Sequence, residues 1–236
     1  MLWYKAWLET RGRFLASLLT LTLFCGLFVH HALDMMRPEW KVAFNRLLYV
    51  TQEFLALMWI LSAILLGMGG VVYEKAVGTA ALSLSLPVSR ARLQLARVAV
   101  GALEATALGV IPWLTILTIS WRAKMPVQTA QVALYVLLLI AGGLVYYAMA
   151  VLVSSLVEGA YSAPAVAIGL VFLSTIVLES WFRQLNLWRF VTGGLHLDTS
   201  TFLLARHFPW LGVLCCLGTT ALILLSATMV VLRRDF

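Results

Sequence analysis

Residues 132–153 read VALYVLLLIAGGLVYYAMAVLV, 22 positions without one charged side chain. As a helix rising 1.5 Å per residue, such a run is about 33 Å long, enough for the roughly 30 Å hydrocarbon core of a bilayer. It is apolar on every face, so a soluble amphipathic helix does not fit it. The rest of the chain agrees with a membrane reading. Of 236 residues, 62% are hydrophobic and 11% are charged, and the mean hydropathy is +0.96. A soluble domain of this size has no way to hide that much apolar surface.

Working outward from that run, extended to Gln128–Val153 as a fourth span, five further stretches fit. The first is Phe14–Leu33, the second Phe54–Tyr73 and the third Leu95–Ser120, with a kink expected at Pro112. A fifth ends near Leu178, and the sixth is Phe208–Leu232. Two amphipathic stretches lie between or before them. In Leu2–Arg13, Trp3, Tyr4, Trp7 and Leu8 share one face and Lys5, Glu9 and Arg13 another. In the second, Trp40, Phe44, Leu47, Leu48 and Thr51 recur at helical spacing. Both are expected to lie flat at a membrane surface. The expected fold is therefore all-α, one integral membrane domain over residues 1–236, with six transmembrane helices and an N-terminal interfacial helix. The N-terminal apolar run is too long for a cleaved signal and reads as the first span. Six spans put both termini on one side. Charge counting does not say which, because the 17 Lys and Arg divide nine to eight.

The sequence offers little to an enzyme. Gly67-Met68-Gly69-Gly70 lacks the Lys-Ser/Thr that completes a phosphate-binding loop, so ATP hydrolysis is not expected on this chain. No His-Glu-x-x-His pair, metal-ligand spacing or paired intramembrane carboxylates occur. Cys25, Cys215 and Cys216 all fall in apolar stretches and read as inert thiols. The net charge of +7 is scattered among the loops, which points to anionic lipid and not to nucleic acid. Glu104 is the one ionisable residue well inside an expected span. A carboxylate at that depth suits a proton or cation site; pairing with Arg97 is the plainer expectation. Trp59 and Trp113 lie deep, and lipid-facing packing is expected of both.

The connection between the second and third spans is the most informative segment. Gly78-Thr79 can end one helix and cap another, Thr79–Leu86 is too short to span, and Pro87 ends it. Ser89 is placed to cap the next helix. The order of Glu74, Gly78, Thr79, the Leu82, Leu84 and Leu86 turn, and Pro87-Val88-Ser89-Arg90 resembles the first cytoplasmic connection of type-2 ABC exporter permeases. The layout resembles the family too, in its N-terminal helix, span number, long fifth connection and Arg-Arg-Asp-Phe end. The resemblance implies a coupling helix at Thr79–Pro87 gripped by a separate ABC ATPase, present in two copies, that binds the ATP and Mg. It also implies a second permease copy or similar chain, a multi-pass place in the cell (inner or plasma) membrane with both termini cytoplasmic, and a second ATPase contact at Ser154, Ser155 and Glu158. The alternatives are an ion-coupled secondary transporter or channel running on Glu104, and a membrane assembly factor.

Overall fold

The computed structural model describes residues 2–34, 41–69, 88–125, 128–157, 159, 162–181, 186–195, 197–198, 202–204 and 208–233. Along them run α1 (Leu2–Asp34), α2 (Lys41–Gly67), α3 (Arg90–Arg122), α4 (Thr129–Leu156), α5 (Ser162–Trp181), α6 (Leu187–Thr192) and α7 (Trp210–Arg233). Among the described residues there is no strand, and one isolated bridge joins Leu197 to Leu204. The all-α reading stands.

Five helices are long and apolar enough to cross a bilayer: Leu2–His31, Phe44–Gly67, Ala91–Arg122, Thr129–Leu156 and Trp210–Arg233. The remaining expected crossing is α5. Its 20 residues give about 30 Å, the bare thickness of the hydrocarbon core. Its fully described apolar stretch, Ser162–Val177, falls short of that length.

The uncharged run 132–153 is the hub. α4 touches α2, α3, α5, α6 and α7. Between lipid and protein an all-round apolar helix has no preferred face, so small side chains decide where neighbours come close. Ala141, Gly142, Gly143, Ala148 and Ala150 are all buried. The Trp59 ring of α2 lies against Gly143, where an added Cβ would sit 2.1 Å from Cζ3. Trp59 is fully buried, and its indole N–H donates to the Ala105 carbonyl of α3 at 2.9 Å. Trp113 is buried as well. Neither tryptophan faces lipid, because each has a polar N–H that only the helix interior satisfies.

Neither expected surface helix is a separate element. α1 is continuous from Leu2 to Asp34, and α2 starts at Lys41 with Phe44, Leu47, Leu48 and Thr51 already buried. In α2 other helices cover that apolar face, whereas in α1 the side chains of Trp3, Tyr4 and Leu8 stay exposed. A single glycine, Gly12, costs a helix interior only about 1 kcal/mol and does not stop α1. α3 likewise continues on both sides of Pro112. Of the thiols, Cys25 is buried and Cys215 is exposed on the surface of the chain.

Ser89 caps α3 as expected: its backbone is extended (φ −67°, ψ 143°), and its Oγ accepts the Arg92 N–H at 3.4 Å. Ser89→Ala should cost about 1 kcal/mol, confined to the first turn. Faster hydrogen exchange at the Arg92 amide is the readout, and an unchanged rate would remove the cap.

Candidate functional site

Glu74, Gly78, Thr79, Leu82, Leu84, Leu86 and Pro87 lie outside the described residues, as does Glu158; Arg90 opens α3, with only its backbone described. The described residues do include both roots of that segment, Met68-Gly69 leaving α2 and Val88-Ser89 entering α3.

The first root is held from α4. Ser154 Oγ donates to the Gly69 carbonyl at 2.7 Å and accepts the Gly69 N–H at 3.1 Å, so one hydroxyl satisfies both polar groups of that residue. Gly67 makes the approach possible. A Cβ there would stand 2.9 Å from Ala150 Cβ and 3.1 Å from the Tyr147 carbonyl. Ser155 is buried too, but its hydroxyl bonds the Leu152 carbonyl of its own helix at 2.7 Å. Of the two serines expected at the second connection, only Ser154 reaches the first.

The same root is held from α1. Arg13 Nη1 donates to the Leu65 carbonyl at 2.7 Å and also to the Met68 carbonyl. The last carbonyls of a helix have no intrahelical donor and form its negative end, so a guanidinium there satisfies both needs. One turn earlier, Glu9 accepts Arg97 Nε at 3.0 Å and Nη2 at 3.2 Å, and Lys5 Nζ lies 3.6 Å away. Thr10 Oγ1 donates to Glu104 Oε1 at 2.6 Å. Tyr147 donates to the Val98 carbonyl at 3.0 Å, adding α4 to α3. Polar side chains thus tie α1, α2, α3 and α4 together at one end of the bundle.

Glu104 is 4% exposed, and its Oε2 has no hydrogen-bond partner among the described residues. The expected pairing with Arg97 is not formed. Arg97 turns to Glu9, where the carboxylate takes two donors in the planar fork that suits arginine. A double-mutant cycle with Glu9→Gln and Arg97→Gln should give a coupling of about 1 kcal/mol, the upper end for a part-exposed pair. A coupling near zero would make the pair incidental to the clamp.

At the opposite end, Gln52 forms a second polar centre. It is fully buried; its amide donates to the Val191 carbonyl of α6 at 2.9 Å, and its Oε1 accepts the Trp113 indole N–H at 3.1 Å. Trp113 stacks on Tyr135 of α4 at 5.6 Å. Val191 and Phe190 lie against Gly142, at the middle of α4. The segment between α5 and α7 thus sends a short helix part-way into the bundle. Sequence reading missed Gln52 and, beside it, the carboxylate of Glu53. The signal was available, since the spacing of Phe44, Leu48 and Thr51 continues through Leu55, Ala56 and Trp59 without a break. Among the described residues no three His, Cys, Asp or Glu side chains converge as a metal site.

No curated protein sequence matches the chain. The family model described as "ABC-2 family transporter protein" matches residues 13–186, well over half of the chain. That range runs from the arginine of the clamp to the cap of α6 and takes in both connections rooted there. With its apolar helices and this match, the chain belongs to the ABC-2 family of transporter proteins and is a membrane permease of an ABC transporter.

Proposed function

We propose that this chain is the membrane half of an ATP-driven exporter, with the chemistry of ATP carried by a separate ATPase that binds nucleotide and Mg. Two copies of the ATPase grip Thr79–Pro87 of two permease chains, and a second contact is made at the connection that holds Ser154, Ser155 and Glu158. The chain itself catalyses nothing. In this reading α5 completes six crossings, both termini are cytoplasmic, and the complex sits in the cell membrane. The observation that carries it is the double hydrogen bond between Ser154 and Gly69. It joins the root of the first connection to the helix that leads into the second, so a partner pulling on either moves α2 and α4 together.

Replacing Gly78-Thr79 by Pro-Pro, or Leu82, Leu84 and Leu86 by Asp, should abolish ATPase docking and leave the permease folded. Docking and transport that survive both changes would remove the coupling role.

A second reading, an ion-coupled carrier, draws on the unpartnered oxygen of Glu104. It requires Glu104→Gln to abolish ion-driven transport with ATP irrelevant. The tie to Thr10 favours a structural role, in which Glu104→Gln keeps ATP-driven transport within about twofold, since an amide oxygen accepts the same hydroxyl.

A further inference from the structure

A cleft of ≈ 260 Å³, open at its mouth, runs between α2 and α5 and is bounded by Trp188 of α6. Leu57, Ile60, Ile168 and Phe172 make its walls. Two polar side chains enter the lining, Glu53 and Thr175. The Thr175 hydroxyl is already bonded to the Val171 carbonyl at 2.9 Å. That leaves the carboxylate of Glu53 as the group that sets the charge preference of the cleft. Glu53 lies near the middle of the 27-residue α2, inside the span Phe44–Gly67. A carboxylate at such depth is costly, and intramembrane charges of this kind mark binding sites. The Tyr49 hydroxyl stands beside it, with Arg189 acting on Tyr49 from α6. Among the described residues no ion pair reaches Glu53.

The chemistry of the walls and of that one charge narrows the ligand. A wholly apolar guest would desolvate the carboxylate without pairing it, and an anion would be repelled. A cation carried on an apolar body meets both demands, and the face of Trp188 is a further surface for it. We propose that this cleft binds an amphipathic amine, its cation on Glu53 and its apolar body between α2 and α5, and that such an amine is the exported cargo. The cargo assignment rests on the export reading above; the binding site does not.

The test uses the full chain in phosphatidylcholine nanodiscs with no ATPase present. The probe is tritiated dodecyltrimethylammonium, displaced by dodecanol, dodecyl sulfate or phosphatidylethanolamine. The wild-type chain should prefer the amine over dodecanol by about tenfold and should not bind the sulfate. Glu53→Gln should reduce that preference below about twofold, with thermal unfolding unchanged. Ile168→Trp, which fills the cleft, should weaken amine and dodecanol alike by about tenfold. No preference in the wild type, or a preference that survives Glu53→Gln, would overturn the site. Displacement by phosphatidylethanolamine at lower concentration than the single-chain amine would make it a lipid site and would overturn the proposal as well. Because no ATP enters the assay, its failure leaves the export reading standing, and a failure of ATP coupling leaves the binding result standing.

Discussion

Gly143→Ala is expected to be the most destabilising single substitution in the bundle, at about 3 kcal/mol. The added methyl would stand 2.1 Å from the Trp59 ring, and that ring has nowhere to go. Overpacking alone costs about 1–3 kcal/mol in a well-packed interior. Relief requires Trp59 to rotate, which breaks its hydrogen bond to the Ala105 carbonyl and leaves a buried N–H unpaired, a further cost of about 1–3 kcal/mol. Thermal unfolding in nanodiscs, followed by tryptophan fluorescence, measures it. Gly169→Ala is the control: nothing lies within 4 Å of the new methyl, and the change should stay within about 0.5 kcal/mol. Equal behaviour of the two variants would mean that Trp59 does not lie on Gly143.

The second large effect is on function. Arg13→Met should lower stability by about 2 kcal/mol, since charged donors to two carbonyls are lost together. Its effect on transport should exceed its effect on folding. The end of α2 is then held by Ser154 alone, and a pull on the first connection is absorbed at its root. ATP hydrolysis by the docked partner should continue while transport falls by about tenfold. Arg13→Lys should recover only part of this, because one ammonium lacks the second nitrogen, Nη2, that donates to the Glu9 carbonyl at 3.3 Å and orients the group. A variant whose transport tracks its loss of folded protein would show that Arg13 only supports the fold.

The parts of this molecule that were legible in its sequence are those governed by local rules. The uncharged run 132–153 became α4, since nothing but a buried helix accommodates it. Ser89 was recognisable as a cap because capping needs only the residue and its position. The stripe of Phe44, Leu47, Leu48 and Thr51 was read at the correct spacing and assigned the wrong neighbour. Periodicity says that a face is apolar; it does not say whether lipid or another helix covers it. Glu53 was missed for the same reason, because a helix taken to begin at Phe54 leaves it outside the membrane.

The clamp was not legible at all. Glu9 and Arg97 are 88 residues apart, and Arg13 lies 52 and 55 residues from the carbonyls that it caps. Such pairings depend on which helices become neighbours, and that depends on where Gly67 and Gly143 admit a close approach. Ser154 was named through the family resemblance alone, and its partner Gly69 was not foreseen. Glu104 was picked out correctly as a buried charge but given Arg97 as its partner, since sequence proximity on one helix is the only geometry a sequence offers.

Purification of the intact complex from native membranes, in mild detergent, decides whether the permease works with an ATPase partner. The permease should co-elute with a second polypeptide carrying a Walker-type phosphate loop, in equal numbers of copies. This partner should be lost when Leu82, Leu84 and Leu86 are replaced by Asp. A transport-active preparation that contains no such ATPase would show that the permease does not run on ATP.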